Sequence, residues 1–131
     1  MGVILALALA VAGGNLVVTT APEKVRSGRQ VAVRATGQVG DTGGRLWIYH
    51  DRKGCAVSVR SERRRGTLIV SRPISGSFDF ESRIRPRRIG RLWVCGYLYA
   101  ITCDAVGRNC APATGLPPDA GFSDAVIRVR R

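Results

Sequence analysis

Two hydrophobic runs in the middle of the chain each contain a tryptophan and lie close to a cysteine. Residues 46–49 are Leu-Trp-Ile-Tyr and precede Cys55, whereas residues 92–98 are Leu-Trp-Val-Cys-Gly-Tyr-Leu and include Cys95. Runs of aromatic and branched residues of this length favour β-strands. The two runs therefore predict strands in the middle of a β-rich domain, with a disulfide between them.

Alternation of apolar and polar residues predicts further strands. In residues 30–36, Val31, Val33 and Ala35 fall on one face and polar residues on the other, as in a half-buried strand. Residues 45–50 are apolar on both faces, which indicates a central strand.

Together these patterns predict one all-β domain and no helix. The predicted strands cover residues 16–20, 30–36, 45–50, 55–59, 67–72, 77–84, 91–101 and 125–131. Seven or eight short antiparallel strands pack most naturally as a two-sheet sandwich, and a barrel is the alternative.

Four cysteines, an even number, suggest two disulfides, and three pairings are possible. We favour Cys55–Cys95, which closes a loop of about 41 residues worth roughly 4 kcal/mol, and Cys103–Cys110, which closes a short turn-rich loop. A metal site is the weaker interpretation, because the chain has no C-x-x-C pair and His50 is its one histidine.

The first residues resemble a targeting segment. Residues 3–12 are continuously apolar, and Ala10-Val11-Ala12 fits a small-x-small cleavage site. A buried strand or helix is the alternative, whereas Gly13-Gly14-Asn15 interrupts the run too early for a membrane span. We therefore expect a signal-like leader at 1–12, a domain at 13–131, and a secreted or cell-envelope location.

The net charge of +12 comes from 21 basic and 9 acidic residues, and Lys24 and Lys53 are the two lysines. Arginine recognises phosphate or sulfate through its planar fork of donors. The preference for arginine over lysine is equally typical of codon bias in a GC-rich genome.

Two groups of arginines are candidates for binding a polyanion, such as nucleic acid or an acidic wall polymer. The first group is Arg60, Arg63, Arg64 and Arg65, and the second is Arg83, Arg85, Arg87, Arg88 and Arg91. If they converge, binding should depend on salt, because counterions are released. The alternative is a solvated edge that discourages aggregation.

The sequence does not predict an enzyme, a cofactor, a metal or a small-molecule substrate. A hydrolytic triad would need His50 as its base, and Cys55 cannot be a nucleophile if it is oxidised. Asp79 and Glu81 share a strand face, where ion pairing with arginine explains them without acid–base catalysis.

Three segments together resemble immunoglobulin-like sandwiches, in particular the small secreted domains of actinobacterium-type exported proteins. They are residues 16–33, residues 46–55 with Trp47 and Cys55, and residues 90–98 with Trp93 and Cys95. The resemblance covers most of residues 16–131. It implies a binding or spacer module without an active site, whose partner is a protein or an envelope polymer. The long connection at 103–121 is a candidate for carrying such binding.

Overall fold

A computed structural model describes residues 15–40, 43–103, 110–112 and 120–131, and for residues 102, 103 and 110–112 it describes the backbone alone. Within these ranges the elements are β1 (Asn15–Ala21), β2 (Lys24–Arg26), β3 (Val31–Gln38), β4 (Gly44–Asp51), α1 (Val59–Arg65), β5 (Thr67–Ile74), β6 (Ser77–Ile84), β7 (Gly90–Cys103), β8 (Cys110–Pro112) and β9 (Gly121–Arg130).

The strands form two facing sheets. The smaller sheet has the order β1–β3–β6, and the larger has the order β2–β9–β7–β4–β5, with β8 paired to β7. All pairs are antiparallel except β2 with β9, which is parallel. The chain thus moves from the smaller to the larger sheet between β1 and β2. The predicted two-sheet sandwich is confirmed.

The main core lies between the sheets. Val31 and Val33 of β3 face Leu46 and Ile48 of β4, and these side chains are at most 1% exposed. Because side chains alternate along a strand, Trp47 and Tyr49 of β4 lie on the opposite face of the sheet.

A second cluster covers the outer face of the larger sheet. Trp47, Tyr49, Tyr97 and Tyr99 pack there with Val59 of α1. The rings of Trp47 and Tyr99 meet edge to face at 5.5 Å, a favourable geometry for aromatic pairs. The prediction that residues 45–50 form a central strand is confirmed, since β4 lies between β7 and β5.

The predicted strand at 55–59 and the prediction of no helix are wrong, because α1 begins at Val59. The Ser58 hydroxyl caps the helix by accepting a hydrogen bond from the Ser61 amide at 3.2 Å. Arginines fill the last turn, where positive charge favours a helix. The face turned to the sheet carries Val59 and Glu62. The sequence therefore lacks the apolar residues at helical spacing that would have predicted this helix.

The predicted Cys55–Cys95 disulfide is confirmed, with Cα atoms 5.6 Å apart. The backbone register of β7 and β8 places Cys103 opposite Cys110, and their side chains lie outside the described part. The leader at 1–12 and most of the connection at 103–121 also lie outside it. No helix in the described ranges is long and apolar enough to cross a membrane.

Candidate functional site

The structure distributes the predicted arginines over several elements. Arg60, Arg63 and Arg64 are exposed on α1, Arg65 turns back to the sheet from the end of α1, Arg83 lies on β6, Arg85, Arg87 and Arg88 lie in the connection from β6 to β7, and Arg91 lies at the start of β7. The first group thus lies on α1, and the second is divided between β6, the connection after it and β7.

One end of the sandwich brings five basic side chains together around a cavity of about 320 Å³. We call this set the basic corner: His50, Arg52, Arg85, Arg87 and Arg88. The end of β4 and the turn after it supply the first two, and the connection from β6 to β7 supplies the other three.

Hydrogen bonds to its main-chain carbonyls fix the shape of this connection. The Ser27 hydroxyl donates to the Arg87 carbonyl, and the Gly28 amide donates to the Pro86 carbonyl at 2.8 Å. Gly28 has a φ of 83°, a backbone conformation that glycine adopts without strain. The Arg52 guanidinium donates to the Arg88 carbonyl at 3.0 Å. The connection is thereby held in place before any ligand arrives.

The charges of the basic corner are not balanced locally. Burial and the neighbouring Arg88 lower the pKa of Arg52. Burial and the charge of Arg52 lower the pKa of His50, against an opposing effect of Asp51. No carboxylate lines this cavity among the described residues, so a bound anion would be the group that relieves the repulsion.

The nearest carboxylate, Asp51, is already engaged. The Arg65 guanidinium donates to it at 2.9 Å and to the Gly54 carbonyl at 2.8 Å. A second cavity, of about 270 Å³, runs from His50 and Arg52 to Arg65. Arg65 of the first predicted group therefore serves to anchor α1, and it borders the basic corner rather than belonging to it.

Beneath α1, Glu62 is fully buried. Its carboxyl accepts a hydrogen bond from the Ala56 amide at 2.8 Å and one from the Tyr97 hydroxyl at 3.2 Å. Burial and the neighbouring Asp51 raise the pKa of Glu62. Burial would also raise the pKa of Asp51, but hydrogen bonds from Glu62 and the Lys53 amide, with the charge of Arg65, lower it overall. Of the two carboxyl groups, Glu62 therefore keeps its proton to higher pH than Asp51 does.

The residues weighed for catalysis have other roles. Asp79 accepts two hydrogen bonds from Arg34, at 2.6 and 2.9 Å, and Glu81 accepts one from Arg83 at 3.3 Å. Both pairs lie exposed on the smaller sheet. Cys55 is oxidised. Among the described residues no group of histidine, cysteine and carboxylate side chains could hold a metal ion.

Arg52 is the residue of the basic corner that sequence reasoning missed. It lies in the turn after β4, where it stands alone and belongs to neither arginine group. The pairing of β4 with β7 brings this turn beside the connection that precedes β7. A signal for Arg52 would have required the strand order.

Solved structures with a similar fold include the CARDB domain of a Pyrococcus furiosus protein, determined once in complex with di-metal ions and once by NMR. The two align with TM-scores of 0.51 and 0.52, each at 10% identity, and cover 88% and 89% of this chain and 91% and 94% of theirs. A Pseudomonas fluorescens alkylpurine DNA glycosylase aligns with 99% of this chain over 34% of its own, at 14% identity. Its TM-score of 0.47 is too low to establish a common fold.

No protein-family model matches the chain, and no curated protein matches it in sequence. The likeness to the CARDB domains shows the fold alone: the chain is an immunoglobulin-like β-sandwich.

Proposed function

We propose that this protein is an exported, non-enzymatic immunoglobulin-like module that binds an anionic polymer through the basic corner. The observation that carries the proposal is the arrangement of Arg52 against Arg88. The Arg52 guanidinium lies against the backbone of Arg88, to whose carbonyl it donates at 3.0 Å, and the charge of Arg88 adds to burial in lowering the pKa of Arg52. Repulsion kept in a fixed geometry favours an anion that bridges the two groups.

Export accounts for the disulfide, because such bonds persist in oxidising compartments. Residues 1–12 would then act as the signal segment. The composition, rich in arginine and poor in lysine, supports a source with a GC-rich genome. An acidic polymer of the cell envelope fits this location better than nucleic acid does, although both offer phosphates or other anionic groups.

The test is the affinity of the purified, oxidised chain for inorganic polyphosphate and for duplex DNA across a salt series. Four arginines at the basic corner predict a slope of log affinity against log salt of about −3 to −4 on DNA, since each neutralised phosphate contributes about −0.9. Binding to polyphosphate should fall with salt in the same way. Affinity for both that does not change with salt would contradict the proposal, as would absence of binding at low salt.

A further inference from the structure

A third cavity, of about 570 Å³, lies where β1 meets the outward-facing residues of β7 and β9. Ile127 and Val129 of β9 face the main core, so alternate residues of β9 face outward. We call this the outer-face cleft and define it by Thr19, Glu23, Arg91, Trp93, Asp124 and Arg128. None of these residues belongs to the basic corner.

The register of β7 and β9 arranges the cleft in three rows. Arg91 lies opposite Arg128, Trp93 lies opposite Val126, and Asp124 lies opposite Cys95. Successive rows are two residues apart, or about 7 Å. A pair of guanidinium groups is therefore followed by a half-buried indole and then by a carboxylate.

The charged side chains of the cleft form no ion pairs with one another among the described residues. Arg91 and Arg128 are directly opposite, a position in which like charges repel. Neither comes within 4.0 Å of a carboxylate in the part of the chain that the structure describes, and neither do Glu23 or Asp124 pair with a base. By contrast, the exposed Arg34 and Arg83 on the smaller sheet both pair with carboxylates.

We infer that the outer-face cleft binds a saccharide whose units carry a carboxylate, such as a hexuronic acid. One such ring has an apolar C–H face, a carboxylate on one side and hydroxyl groups on the other. The C–H face suits the electron-rich surface of Trp93, the carboxylate suits the two guanidinium groups, and the hydroxyls can donate to Asp124.

The cleft suits this ligand better than it suits a simple polyanion. Glu23 and Asp124 balance the two arginines, so the lining has no net charge. A polyphosphate would gain two arginines and meet two carboxylates. Recognition here must rest on hydroxyl groups and the indole as well as on charge, which is the chemistry of a sugar.

The test titrates the purified, oxidised chain with a galacturonic acid trimer and with its neutral, carboxyl-reduced analogue. Saturable binding of the acidic trimer, with quenching of Trp93 fluorescence, is expected. Trp47 is buried, so its fluorescence should form a constant background to the change at Trp93. Arg91→Gln or Arg128→Gln should weaken the acidic trimer about tenfold, to the level of the neutral one, and Asp124→Asn should weaken both trimers.

Arg130→Gln is the matched control, since Arg130 is exposed on the same strand two residues beyond Arg128. It should leave the affinity unchanged. The inference is overturned if the acidic trimer does not bind, if Arg130→Gln weakens it as much as Arg128→Gln, or if a glutamate hexapeptide binds equally well. Joint Arg85→Gln, Arg87→Gln and Arg88→Gln tests the competing location: loss of trimer binding in that variant, with binding kept in Arg128→Gln, would place the sugar at the basic corner and also overturn the inference.

Discussion

Glu62 shows how a single residue joins the helix to the sheet. Its carboxyl is fully buried and binds the Ala56 amide and the Tyr97 hydroxyl. Its Oε2 atom is buried and has no hydrogen-bond partner among the described residues. A Cβ atom on Gly66 would lie 2.2 Å from that oxygen, which explains the glycine directly after α1.

The raised pKa of Glu62 predicts a dependence of stability on pH. The folded chain holds this proton more tightly than the unfolded chain, whose glutamate titrates near 4.5. The free energy of unfolding should therefore fall as the pH rises above about 4.5 and through the raised pKa. Glu62→Gln cannot ionise, so the variant should lose this part of the pH dependence in urea unfolding measured over a pH series.

Asp51 provides the control within the same experiment. Because its pKa is lowered, Asp51 stabilises the fold at pH values above its ordinary pKa of 3.8. This contribution is lost as the pH falls through the lowered pKa. Glu62→Gln should still lose stability toward acid pH. A variant whose pH profile matches that of the parent chain above pH 4.5 would show that Glu62 is ionised in the fold.

His50 offers a second prediction at the residue scale, and it can be followed cleanly as the chain's single histidine. Burial and Arg52 lower its pKa in the free protein. A bound anion at the basic corner favours the charged imidazole, so polyphosphate should raise this pKa. By linkage, the affinity for polyphosphate should increase as the pH falls. The measurement is an NMR titration of His50 with and without polyphosphate, and a pKa that polyphosphate leaves unchanged or lowers would count against the corner as the site.

At the scale of elements, the sequence predicted the strands better than the helix. The alternation of Val31, Val33 and Ala35 directly reports a face buried against the other sheet. α1 has a buried carboxylate where an amphipathic helix would have an apolar residue, so its pattern resembles a charged loop. β2, of three residues, is too short to show alternation.

The disulfide and α1 form one structural unit on the outer face. Cys55 lies between β4 and α1, and Cys95 lies in the aromatic cluster under the helix. Cys55→Ala with Cys95→Ala should lower the free energy of unfolding by about 4 kcal/mol, as estimated for a loop of this length. Amide exchange should also accelerate in residues 56–65 more than in β3.

This double variant leaves Cys103 and Cys110 in place, so it separates the effect of one bridge from general reduction. Denaturant unfolding gives the stability, and hydrogen exchange locates the change. Equal acceleration of exchange in β3 and in α1 would mean that the bridge supports the whole sandwich and has no special role in holding the helix.

At the scale of the whole molecule, the fold gives different roles to the arginines that produce the net charge of +12. Arg34 and Arg83 balance carboxylates on the smaller sheet, and Arg65 anchors the helix. The sequence indicated that arginine was abundant and partly grouped. It could not show which arginines lie close together, because only strand order and register bring Arg52 beside Arg88 and place Arg91 opposite Arg128.

Two triple variants of equal charge distinguish a localised anion site from a general effect of the positive charge. Arg85, Arg87 and Arg88 are exposed at the basic corner, and Arg60, Arg63 and Arg64 are exposed on α1 without an ion pair in the described residues. Each set is changed to glutamine, and the affinity for polyphosphate is measured at one fixed salt concentration. We expect the corner variant to lose most of the affinity and the α1 variant to keep most of it. An equal loss in both variants would contradict a localised site at the basic corner, because the net charge alone would then determine the affinity.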